Sequence, residues 1–216
     1  MADVALQPLP RGRHGLTREQ VTETQRLRLV IAMADAMAEG GYVGTPVAAV
    51  LKRAGVSRET FYQLYDDKLA CFLDALDFVG EVLVADLGAA VTGTTADVLA
   101  RTPLARAERA ISRYLDTLVR HPAFARLYLV EVHAAGAAAM ERRARLQQRV
   151  VDALCALFDA RDASARFALQ AFVAAISSLV TLPLVSGDHE AIRALRRPLV
   201  EHLRMLVEVG PLSARP

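Results

Sequence analysis

The chain has 216 residues, 53% of them hydrophobic, no tryptophan, and a net charge of +2 from 26 basic and 24 acidic side chains. That composition excludes disordered, collagen-like and low-complexity classes and leaves length for a substantial core. So small a net charge does not pull the whole molecule onto a polyanion, and any nucleic-acid site must be local. Ala, Leu, Val, Arg and Glu outweigh Gly, Ile and Thr, which favours helix over sheet, so an all-α fold is expected. Cys71 and Cys155 form no CxxC or Cys/His cluster, so neither a metal site nor a disulfide framework is expected. The first 20 residues lack the apolar stretch and cleavage site of a secretory signal, and a cytoplasmic location is expected. Residues 167–187 carry no formal charge over a length that could cross a bilayer. Gln170, Ser177, Ser178, Thr181 and Pro183 interrupt that stretch and no second one exists, so the reading is a soluble helix needing apolar neighbours all round, with no membrane partner.

In chain order, residues 1–16, with Arg11, Arg13 and His14 among prolines and glycines, read as a flexible basic arm. Thr17 and Gln20 have the spacing of a capping box, and Leu27, Val30, Ile31, Ala34, Met37 and Ala38 recur every three to four residues. A helix is expected there, stopped by Gly40 and Gly41. Thr45 then reads as a cap with Pro46 in the first helical position, opening a short helix over 46–54. Gly55 ends it, Ser57 caps a second short helix over 58–65, and Asp66-Asp67 open a long one to about residue 91. The glycines and threonines of 88–102 predict a loop. Apolar stripes then predict helices through Leu104 to Leu118, through Phe124 and Tyr128 to near Gly136, and through Leu146 to Leu157. Arg142, Arg143, Arg145 and Arg149 read as a solvated face of the last of these. Two more helices follow, over 164–185 and 189–208, with Pro198 expected to kink or interrupt the second. The total is about nine helices and no strand.

Residues 45–67, TPVAAVLKRAGVSRETFYQLYDD, pair two short helices across a glycine turn, with Val47, Val50, Leu51, Val56, Phe61 and Tyr62 available to pack them. This is a helix-turn-helix pattern. Its first helix braces against a DNA backbone while the second presents Ser57, Arg58, Glu59 and Thr60 to base edges or nearby phosphates in a major groove. Together with QRLRLVIAMADAMAEGGY and AGVSRETFYQLYDDKLACFLDAL, the segment resembles the amino-terminal DNA-binding domain of the TetR family of bacterial transcriptional regulators over residues 24–84. The Gly-Val-Ser turn, the Phe-Tyr pair, the following aromatic and the Asp-Lys that opens the fourth helix carry the resemblance. Beyond residue 84 it is one of architecture.

The resemblance implies a three-helix DNA-binding domain over 17–84, with its motif at 46–65, and a helical effector-binding and dimerisation domain over 85–216. It implies that Thr45, Tyr62 and Lys68 hold phosphates and that Arg58, Glu59 and Thr60 read bases. Arg58 suits bidentate pairing with guanine, and Glu59 suits accepting from cytosine. Leu64, Pro46 and Leu51 depart from the family pattern: Leu64 removes an expected phosphate contact, and Leu51 replaces a small residue against the turn. Residues 10–60 hold eight Arg or Lys against five Asp or Glu, so the arm is a candidate for added phosphate or minor-groove contacts.

One recognition helix reads few base pairs, so a two-fold homodimer on palindromic double-stranded DNA is expected, built through the helices of 164–185 and 189–208. The resemblance also implies a small-molecule effector among the middle helices, with Tyr114, Phe124, Tyr128, Glu131, His133 and Phe172 as candidate lining. No HExxH, GxSxG or phosphate-cradling glycine loop is present, so no catalytic residue, metal or cofactor is expected. The expected function is a transcriptional regulator, a repressor of a palindromic operator relieved by an apolar or amphipathic effector. The alternatives are an activator of the same fold and a helical ligand-binding protein without DNA binding.

Overall fold

The structure, a computed structural model, describes residues 17–92 and 102–212. The described residues form nine helices and no strand. Arg11, Arg13 and His14 of the basic arm, and the part of the expected loop at 93–101, lie outside them.

Helix α1 (Arg18–Gly44) begins with the capping box: Thr17 accepts from the Gln20 N–H at 3.2 Å, and the Gln20 side chain accepts from the Thr17 N–H at 2.9 Å. Gly41 breaks the helical run at φ 67°, ψ 170°, a conformation a side chain resists, and one further turn follows before the chain leaves at Thr45. Helix α2 (Val47–Ala54) starts one residue later than expected. Pro46 holds the cap position, and the residue before a proline is forced into the extended region, where Thr45 lies at φ −98°, ψ 106°. Thr45 instead closes α1, its hydroxyl donating to the carbonyls of Gly41 at 2.7 Å and Ala36 at 3.2 Å. Gly55 at φ 64° caps α2, and Ser57 accepts from the Thr60 N–H at 3.0 Å to start α3 (Arg58–Leu64).

Helix α4 (Lys68–Thr92) runs on through residues 88–92, which were expected to be loop. Ala89 and Ala90 are strong helix formers there, and a single Gly88 costs only about 1 kcal/mol against alanine. Helix α5 (Pro103–Arg120) is capped by Thr102, and α6 starts as Pro122–Arg126, widens into a π turn over Leu127–Glu131, and ends as Val132–Ala134. Helices α7 (Ala137–Phe158) and α8 (Ala163–Ser186) follow. Helix α9 comes in two pieces, His189–Ala194 and Arg196–Glu208, broken at Leu195. The break matches Pro198, which cannot donate to the carbonyl of Ala194 one turn back.

One continuous core joins the two ends of the molecule. It runs from Leu29, Met33 and Met37 of α1 through Phe61, Phe72 and Leu76 to Leu115, Leu127, Leu169 and Leu203. Helix α4 is its spine, packed on α1 at one end and on α5 and α7 at the other. The arginines of α7 are not a passive wet face. Arg142 pairs with Asp77 and Arg149 with Glu81, both acids on α4, and Arg143 lies over the Tyr128 ring at 5.6 Å. Side chains reaching out from α7 find acids on the neighbouring helix, which the sequence of α7 alone does not show. Cys71 and Cys155 are both buried, free thiols.

Candidate nucleic-acid interface and effector cavity

Helix α3 is held by one deeply buried side chain, Phe61, whose ring packs against Tyr62 and Tyr65 at 5.3 and 5.5 Å. Tyr65, at its end, donates from its hydroxyl to Asp74 on α4 at 2.6 Å. The same carboxylate receives a two-pronged contact from Arg26 of α1, at 2.6 and 2.8 Å. Arg26, Asp74 and Tyr65 thus lock three helices to a single carboxylate and fix the direction in which α3 points. The forked guanidinium geometry makes this stronger than a single-point pair.

With Phe61 facing in, the opposite side of α3 faces out. Arg58, Glu59, Tyr62 and Gln63 are exposed, and Thr60 is half-buried against the Ser57 hydroxyl at 2.9 Å. The Arg58 guanidinium lies 5.4 Å from the Tyr62 ring one turn on and has no acidic partner among the described residues. Glu59 accepts a long contact from Gln63 at 3.4 Å and makes no ion pair among those residues. Gln63 was not singled out in the sequence; its spacing of four from Glu59 was the available signal.

The two remaining candidate DNA contacts are differently placed. Thr45 is buried, and its hydroxyl is spent on α1. Lys68, at the start of α4, donates to the carbonyls of Tyr42 at 2.7 Å and Thr45 at 3.1 Å and sits 4.3 Å over the Tyr42 ring. An ammonium has three donors, so one N–H is left for an outside acceptor.

The Tyr42 peptide is also tied to the other end of the molecule. Its N–H donates to Glu131 of α6 at 2.7 Å, and that carboxylate accepts from Arg126 at 3.2 Å. Glu131 is buried, delivered to this position by the π turn. It is absent from the lining of both cavities described below, and His133 is exposed. Three of the other candidates do come together. Tyr114 of α5, Tyr128 of α6 and Phe172 of α8 line an apolar cavity of about 170 Å³, whose other walls come from α4, α7 and α9. Phe124 lines a separate space of about 40 Å³ between α4 and α5. Asp74 and Asp77, a carboxylate pair in sequence, are each engaged by an arginine, and no acid, histidine and cysteine cluster able to hold a metal occurs among the described residues.

Residues 32–75, which contain the second half of α1, both short helices and the start of α4, match the family profile described as bacterial regulatory proteins, tetR family. The chain carries a TetR-family amino-terminal domain. Its whole fold is TetR-like as well. The fatty acid degradation regulator FadR from Bacillus halodurans superposes with a TM-score of 0.70 at 15% identity, covering 88% of this chain and 98% of that one. FadR from Bacillus subtilis, solved in complex with stearoyl-CoA, gives 0.68 at 15% identity over 84% and 97%. A TetR-like transcriptional regulator from Rhodococcus sp. RHA1 gives 0.61 at 17% identity over 88% and 98%. At these identities the likeness is one of fold. No curated protein sequence matches the chain.

Proposed function

We propose that this TetR-like protein is a non-catalytic, cytoplasmic homodimer that binds a palindromic operator and is released from it by a small molecule in the cavity. The observation that carries the reading is the outward face of α3, where Arg58, Glu59, Tyr62 and Gln63 stand exposed on a helix anchored from its other side by Phe61 and Tyr65. The Arg58 guanidinium has no acidic partner among the described residues, and a major groove offers guanine acceptors to it. Ser57 and Thr60 stiffen the start of the helix, and Tyr62 and Lys68 contribute phosphate contacts, Lys68 through its remaining N–H. Thr45 contributes by holding the corner between α1 and α2, with its side chain turned away from solvent.

Dimerisation has its own support. Helix α8 is long and apolar enough to cross a membrane, and Phe167, Leu179, Leu182 and Val185 on it are exposed, as is Met205 on α9. A contiguous apolar face of this kind marks an interface. A second copy laid on the same face would cover both helices of each protomer and set two α3 helices side by side for two half-sites.

Selection of bound sequences from random duplex DNA tests the reading. A palindrome is expected to emerge with the native protein. Arg58→Ala should relax the choice at one base in each half, a loss of about 1–3 kcal/mol there, while Lys68→Ala should weaken all sequences alike and flatten the dependence on salt. Failure to enrich any sequence overturns DNA recognition.

A further inference from the structure

The cavity is close in size to the ~150 Å³ engineered cavity that accepts benzene, so it has room for one ring or a short alkyl chain. Most of its wall is Leu, Val, Ile, Ala and Phe. Its polar groups fall into two sets. Gln147 donates to the Ser177 hydroxyl at 3.1 Å, Ser177 donates to the Val173 carbonyl at 3.2 Å, and Arg149 is paired with Glu81. Those groups are satisfied. Tyr114 and Tyr128 are not: both are more than nine-tenths buried, both line the cavity, and neither hydroxyl has a hydrogen-bond partner among the described residues. A phenol hydroxyl at an apolar wall with no protein partner is a donor left for a bound acceptor.

Behind them stands Arg143. Its guanidinium lies 5.6 Å from the Tyr128 ring, its Nε is buried with no partner, and no carboxylate pairs with it among the described residues, although its neighbours Arg142 and Arg149 each have one. Burial raises both phenols, Tyr128 to about 12, with the Arg143 charge acting in the opposite sense on each. Both hydroxyls are therefore protonated donors at neutral pH, within the field of one uncompensated cation.

We infer that the cavity takes a compact apolar carboxylic acid, its body among the aliphatic side chains and its carboxylate accepting from the Tyr114 and Tyr128 hydroxyls on the side facing Arg143. This rests on the effector-binding reading of the cavity and narrows it to a charge and a size. The assignment excludes amines, for which Arg143 is repulsive, and gives neutral alcohols of the same shape the apolar contribution alone.

Calorimetric titration of the full-length protein with octanoate, phenylacetate, 1-octanol and octylamine tests it. Either acid should bind at least tenfold more tightly than octanol, and octylamine should not bind. Arg143→Met, which keeps the length of the side chain, should remove the preference for acid and leave octanol affinity unchanged. The isosteric Tyr114→Phe and Tyr128→Phe variants, whose folding is checked by circular dichroism, should each weaken octanoate several-fold. Equal binding of acid and alcohol, an unchanged octanoate affinity in Arg143→Met, or no binding of either acid overturns the assignment. Operator release is measured in parallel. Acids that bind with the stated preference but leave DNA bound support the assignment and overturn the effector reading; an alcohol that matches the acids and releases DNA does the reverse.

Discussion

Gly41 shows how much a single position can carry. At φ 67° it turns α1 into the corner, and a Cβ there would sit 3.3 Å from Glu131 Oε2, the acceptor for the next residue's N–H. Gly41→Ala should therefore combine backbone strain with pressure on that hydrogen bond. The expected loss is about 1–3 kcal/mol, read as a lower thermal midpoint in calorimetry. The caps at Thr17, Ser57 and Gly55 were legible in the sequence because each acts within three or four residues of itself. Thr45 was not, since its hydroxyl bonds depend on the left-handed turn at Gly41, and nothing in the run Gly40-Gly41 says which glycine takes it. Glu131 was singled out for the wrong neighbourhood: the sequence marks it as an isolated acid in an apolar run, while its partner is a backbone amide 89 positions away.

Among the helices, α4 is the one that reaches both ends of the molecule. It carries Lys68 and Asp74 at the end that holds α3, and Leu83, Val84 and Leu87 at the cavity. Midway, Gly80 faces α7 so closely that a Cβ would meet Leu146 Cδ1 at 2.2 Å, and Leu146 is itself buried. Gly80→Ala must displace the buried Leu146 side chain or push α4 and α7 apart, at a cost of about 1–3 kcal/mol. It should also change operator affinity in a gel-shift titration although Gly80 lies far from α3, and a variant that binds DNA as the native protein does would show that the α4–α7 spacing is not transmitted. The existence of α4 was readable from its apolar periodicity. Its tight contact was not, because a glycine inside a helix has the same local signature whether or not a neighbour presses on it. The ion pairs of Arg142 and Arg149 were hidden for a similar reason, since pairing between helices depends on their rotation about their axes. The Arg149–Glu81 pair is exposed and the Arg142–Asp77 pair half-buried at the surface, so each is expected to contribute only about 0–1 kcal/mol.

For the molecule as a whole, the proposed dimer rests on the apolar face of α8. Leu182 is 75% exposed and Phe167 69%, values that no isolated soluble helix tolerates on a large scale. Leu182→Glu should convert a dimer of twice 23.4 kDa into monomers in sedimentation equilibrium and, by separating the half-site readers, abolish operator binding while leaving the fold of each protomer intact. Persistence of a dimer in that variant would move the interface elsewhere. That residues 164–185 form a helix in need of partners was legible from the absence of charge; which side meets the protomer's own core depended on how α7 and α9 pack on it.

The peptide of Tyr42 has Glu131 on its N–H and Lys68 on its carbonyl, so it is shared between the wide turn of α6 and the root of α4. Any tilt between those two helices must lengthen one bond or the other. The exchange of this one amide proton with heavy water is thus a built-in gauge of the molecule's state, slow while Glu131 holds the N–H and faster once α6 draws away from it, and it can be followed by mass spectrometry with no label on the protein.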